Sequence, residues 1–141
     1  MRDIHNNIAI VEAIANKTHD ADNTPTAIDL QGYESAEVVM HIGVGGITTF
    51  TGTNKVEFKL THSEDDSTYT DVTIGDVDGL SSVAEGGIIK SLTLAHNASD
   101  VTKVGYIGGK RYLKLLADFS GTHGTGTPIG AVVVMGNPLN S

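Results

Sequence analysis

Apolar and polar residues alternate along much of this chain, which is the period of a strand with one buried face. The cleanest run is 36–44, where Ala36, Val38, Met40, Ile42 and Val44 share one face and Glu37, Val39, His41 and Gly43 the other; Gly45-Gly46 stops it. A second strand is predicted over 55–61, with Val56, Phe58 and Leu60 inward and Glu57 and Lys59 outward. A polar turn over 62–67 leads into a return strand over 68–74, and another strand is predicted over 88–94. Residues 129–135 are apolar on both faces, so that strand is either central in its sheet or covered by another chain.

Between these runs lie polar or glycine-rich connections at 16–26, 75–87 and 120–128 (SGTHGTGTP), the last barred from regular structure by three glycines and a proline. Near the start, Ile4, Ile8, Val11 and Ile14 fit a helical period, while Ile8, Ile10 and Ile14 fit alternation. No capping residue precedes a helix there, and Ile and Val favour strands, so the segment reads as extended. Seven or eight short strands and no helix predict an all-β antiparallel fold, a jelly roll or β-sandwich. Its expected organisation is an extended arm and loop over 1–27 followed by one domain over 28–141.

The strongest local signal is 104–119 (VGYIGGKRYLKLLADF). Two alternating runs flank Gly108-Gly109, and glycine reaches the positive φ of a tight primed turn at little cost. A two-residue hairpin there pairs Ile107 with Lys110, Tyr106 with Arg111 and Gly105 with Tyr112. One face then carries Val104, Tyr106, Leu113, Leu115, Ala117 and Phe119, and the Arg111 guanidinium lies over the Tyr106 ring as a cation–π pair. The segment reads as scaffold.

Composition narrows the function. The 141 residues suffice for one domain with a real core. With no cysteine, disulfides, thiolate catalysis and cysteine-bearing zinc sites are all excluded. A formal net charge of -8 argues against binding a nucleic-acid backbone, which needs clustered Lys and Arg. No signal segment opens the chain and no apolar run approaches a membrane span, which predicts synthesis and folding in a cytoplasm, with neither membrane nor nucleic acid as partner.

Catalytic patterns are missing from the sequence. The six histidines, at 5, 19, 41, 62, 96 and 123, form no HxH or HExxH pair and read as scattered loop and surface residues. Asp76-Val77-Asp78-Gly79 resembles the start of a calcium loop, but Leu80 stands where an oxygen donor belongs and Glu85 comes too early. The glycines of 43–46 miss the dinucleotide spacing, Gly109-Lys110 lacks the rest of a phosphate loop, and no GxSxG elbow exists. No enzyme activity, cofactor or metal is expected.

Residues 28–43 (IDLQGYESAEVVMHIG) and 104–121 (VGYIGGKRYLKLLADFSG), with 56–72 (VEFKLTHSEDDSTYTDV) between them, resemble small proteins encoded near the major capsid gene of tailed bacteriophages and prophages. These are the capsid decoration, or cement, proteins of the Bordetella-phage type, and the likeness runs from about Ile28 onward. The resemblance implies a jelly roll on the exterior of the phage head that bridges major capsid protein subunits. It also implies self-association, with a homodimer favoured over a trimer. Cement proteins act through surfaces, so no residue role carries over singly. Exposure and apolar character instead nominate Ile4, Ile8 and Ile10 of the arm, and the loop around His123, as partner contacts. Two further readings are a head–tail joining or tail protein, and a carbohydrate-binding sandwich module. A low aromatic content (5%) and the absence of tryptophan count against the module.

Overall fold

In the computed structural model, which describes residues 3–44 and 50–139, the chain is a rolled-up antiparallel ribbon. Ten strands are found among the described residues: β1 (Ile8–His19), β2 (Ile28–Asp29), β3 (Tyr33–Ile42), β4 (Lys55–Ser63), β5 (Thr70–Asp71), β6 (Val77–Asp78), β7 (Ile88–Leu92), β8 (Asp100–Tyr106), β9 (Tyr112–Ser120) and β10 (Thr127–Pro138). Single 3-10 turns at His5–Asn7 and Ile74–Asp76 precede β1 and β6.

The first half of the chain lies antiparallel to the second, with β1 on β10, β2 on β9, β3 on β8 and β4 on β7. Rolling that ribbon brings β10 against β3 and β9 against β4. The result is two sheets, ordered β1-β10-β3-β8-β6 and β2-β9-β4-β5, with β7 also on β4. This is the strand exchange of a jelly roll, in which successive strands largely alternate between two packed sheets. The all-β sandwich expected from alternation is therefore observed. Strands β2 and β6 are only two residues long and too short for periodicity to register, and of the return strand expected over 68–74 only Thr70–Asp71 (β5) is a strand.

Strand parity places the core. Val38, Met40 and Ile42 of β3, Val56, Phe58 and Leu60 of β4, Val104 of β8, Leu113 and Leu115 of β9 and Val133 of β10 meet between the sheets. Strand β10 is central, flanked by β1 and β3, which accounts for apolar residues on both its faces. The Gly45-Gly46 stop lies outside the described residues.

Two expectations are corrected. Residues 104–119 are not a hairpin, because β8 and β9 belong to different sheets. Both edges of β8 are occupied, by β3 and β6, and both edges of β9, by β2 and β4. Gly108-Gly109 therefore sits in a crossover between sheets. Only Gly109 of the two has a positive φ (76°), whereas a primed two-residue turn of type I′ needs both. Gly108 is required for a different reason: a Cβ there would stand 2.7 Å from the Tyr106 ring. The alternation itself holds, since Val104, Tyr106, Leu113, Leu115 and Ala117 are buried and Phe119 packs on the core.

The second correction concerns the first 27 residues. Ile8–His19 is extended, but as β1, an integral edge strand paired with β10 residue for residue from Ile8 to Glu12. Apolar Ile8, Ile10 and Val11 meet a strand edge within reach, and ladder hydrogen bonds capture them.

Candidate interaction surface

Burial of Tyr106 organises one end of the sandwich. Its hydroxyl accepts a hydrogen bond from the Lys110 N–H (3.0 Å) and lies 2.8 Å from His62 Nδ1, with the two rings edge to face at 5.7 Å. On the far side of the imidazole, Nε2 faces the Asp76 carboxylate at 3.9 Å. A carboxylate only accepts, so the imidazole proton belongs on Nε2 and the phenol donates to Nδ1. Burial pushes the Tyr106 phenol up and His62 down from their ordinary values. Asp76 is further engaged by the N–H (2.8 Å) and hydroxyl of Thr73, in a capping box on the 3-10 turn. The residue that resembled the start of a calcium loop is thus spent on local structure.

The cation–π partner of Arg111 also differs from the expected one. Its guanidinium lies 4.9 Å over the Tyr112 ring and makes a two-pronged contact with Asp29, Nε at 2.9 Å and Nη2 at 2.8 Å. That hydrogen bonding holds the Asp29 carboxyl down to about 2. The pair ties the crossover to the start of the β2–β3 turn, where Leu30 N–H also donates to Arg111 O (2.8 Å).

A groove at this anchored end is mainly apolar. Its volume is about 530 Å³, and it is lined by Tyr33, Tyr106, Ile107, Lys110, Arg111 and Leu139. It shares Glu34 and Leu139 with a second depression of about 860 Å³, which reaches Ile4 and Ile8. Ile4 (71%), Ile107 (65%) and Leu139 (56%) are exposed well beyond what isolated folding requires. Leu139 is held in place by its N–H, which donates to Gly32 O (2.8 Å). Ile10 is exposed on the outer face of β1, opposite Val134.

Of the nominated contacts, Ile4 and Ile8 line the second depression, among Asp3, Asn7 and Glu34, and Ile10 lies further along the outer face of β1. His123 is buried instead. Its side chain is 4% exposed, with Nε2 donating to Ser120 O (2.7 Å) and the ring edge-on to Phe119 at 4.9 Å. The glycine-rich loop folds back on the sandwich and tucks the ring under itself. His19 and His62 are buried as well, so the histidines are not simply scattered over loops and surface. Among the described residues no group of three or more metal-ligating side chains gathers, and no helix is long and apolar enough to cross a membrane.

Ile107 and Leu139 were not singled out by sequence as surface residues. Ile107 carried a signal, since it has the outward parity beside inward Tyr106. Leu139 follows Asn137-Pro138 at the end of β10 and has no periodicity to expose it. No protein-family model, curated protein or solved structure matches this chain.

Proposed function

We propose that this chain is a structural virion protein that decorates a tailed-phage head and cements its major capsid protein subunits. The observation that carries the reading is the apolar groove of Tyr33, Ile107 and Leu139 at one end of the sandwich, with exposed Ile4 in the depression beside it. In a chain of net charge -8, an exposed groove lined by apolar side chains marks a docking face. The sequence resemblance to decoration proteins supplies the partner. A jelly roll with a rigid end suits the task, because a surface already ordered before docking loses little conformational freedom when it binds.

Cementing needs only a modest contact repeated many times. A specific joint buries roughly 1,000–2,000 Å², and copies spread across subunit boundaries multiply a small local gain over the shell. The surface here has an apolar centre with Glu34, Lys110 and Arg111 at its rim, the arrangement of ordinary protein–protein contacts.

The test uses heads assembled without this chain, to which purified protein is added back. Wild-type protein is expected to saturate at hundreds of copies per head, and the double variant Ile107→Asp, Leu139→Asp to bind at least about tenfold more weakly. Both side chains are exposed, so circular dichroism should be unchanged. Equal binding by the variant, or saturation at about a dozen copies as at a single-vertex joint, overturns the proposal.

A further inference from the structure

The crossover from β8 to β9 gives Ile107, Gly109, Lys110 and Arg111 to the lining of the groove, and few hydrogen bonds hold it down. The Ile107 N–H donates to Asp76 O (2.8 Å), and the Lys110 N–H to the Tyr106 hydroxyl (3.0 Å). Arg111 fastens the far end through Leu30 and Asp29. The first two hooks converge on one buried group, the His62 imidazole. Its Nδ1 takes the Tyr106 hydroxyl proton and its Nε2 faces Asp76.

Only a neutral ring satisfies this arrangement. A charged imidazole has two N–H donors and no acceptor. Its Nδ1 would donate to the same phenol oxygen that already accepts from Lys110, and the phenol proton would lose its acceptor on a side chain only 5% exposed. On the other side, an imidazolium draws the Asp76 carboxylate in from 3.9 Å, and Asp76 holds Ile107 through its carbonyl. One proton therefore strains both hooks at once, while the Arg111 fastening is untouched.

We propose that His62 is a proton-operated latch: charging its imidazole frees residues 107–110 from Tyr106 and Asp76 and opens this wall of the groove. The groups around the ring decide when. Asp76 on the 3-10 turn and Glu64 after β4 favour the imidazolium, and Lys110 on the crossover opposes it. Tyr106 on β8 meets the ring as a neutral phenol, and the ladder neighbours Leu113 on β9 and Thr70 on β5 carry no charge. Burial tips the balance towards the neutral ring, so the latch is shut at neutral pH and opens in acid, once the folded ring takes its proton. Since Ile107 is a docking residue in the reading above, docking then weakens in acid; that consequence rests on the reading, and the latch itself does not.

Amide hydrogen exchange on the free full chain, read residue by residue by NMR between about pH 7 and about pH 4.5, tests it. Protection factors, which remove the intrinsic effect of pH on exchange, are expected to fall at least about tenfold at Ile107 and Lys110. They should hold at Val38 and Val133, on strands paired along both edges. His62→Gln, which takes no proton but still accepts from the phenol, should keep its crossover equally protected at both ends of the range. Tyr106→Phe should leave the Lys110 amide unprotected already at neutral pH. Crossover amides that stay protected in acid, that lose protection only in step with Val38 and Val133, or that lose it equally in His62→Gln overturn the latch, as does a Lys110 amide still protected in Tyr106→Phe. No phage head takes part, so these outcomes leave the docking reading standing, whereas heads that fail to bind wild-type protein at neutral pH remove docking and leave the latch.

Discussion

Phe58→Ala is expected to cost about 3–5 kcal/mol of folding stability. Phe58 is fully buried on β4, the strand that holds the second sheet together by pairing with β9 on one edge and with β7 and β5 on the other. Its neighbour across the β9 ladder is Ala117, also fully buried and too small to fill the space a lost phenyl ring leaves. A strand paired on both edges has little room to collapse inward, so most of the cavity persists. A domain of this size holds roughly 5–15 kcal/mol in total, and the variant therefore falls close to the edge of folding. Urea denaturation checks it: the midpoint should drop sharply at an unchanged slope, since the surface exposed on unfolding is the same. A loss below about 1 kcal/mol would mean that Phe58 does not occupy the centre of the core.

Phe58 was legible as a core residue because parity along a strand is a local property. Val56, Phe58 and Leu60 alternate with Glu57 and Lys59, and whichever strands lie beside β4, one parity must face the opposite sheet. The same reasoning found the inward sets of β3, β8 and β9. What parity cannot reveal is which edges meet. Gly108-Gly109 lets the chain turn, but whether β8 and β9 then pair depends on competition from β2, β3, β4 and β6, all distant in sequence. In the jelly roll those competitors win every edge, and the predicted Tyr106–Arg111 pair dissolves into Tyr106–His62 and Arg111–Asp29.

The candidate surface divides along the same line. Ile4, Ile8 and Ile10 could be nominated from apolar character near the start of the chain, although they belong to an edge strand and its preceding turn rather than to a free arm. Leu139 joins them only because β10 returns beside β1 and β3, so no window of neighbouring residues contains the patch. His123 misled for the converse reason. A histidine among glycines and threonines looks exposed, yet Phe50 and Phe119, far apart in sequence, make a buried place for it.

Tyr106→Phe is expected to cost about 2–3 kcal/mol although it removes a single oxygen, because it strands His62 Nδ1 in a buried site and leaves the Lys110 N–H to find water. The same site makes stability fall in mild acid. Burial holds the folded His62 below its ordinary 6.5, outweighing the pull of Asp76 and Glu64 towards the charged form, while Lys110 adds to the depression. Above pH 6.5 neither the folded nor the unfolded chain binds this proton, and the contribution is intact. Below it the unfolded chain takes up a proton that the folded one refuses, so stability drops until the lower folded value is passed. The Asp29 and Asp65 carboxyls, both held at about 2, lose their contribution only as the pH falls from 3.8 towards that value. The two windows are therefore separate, and the decline between pH 7 and pH 5 belongs to the His62 site. His62→Gln should be less stable at pH 7 but nearly flat across that interval, where the wild type slopes. Parallel slopes in the two proteins would assign the acid sensitivity to another group and remove the Tyr106–His62–Asp76 chain as its cause.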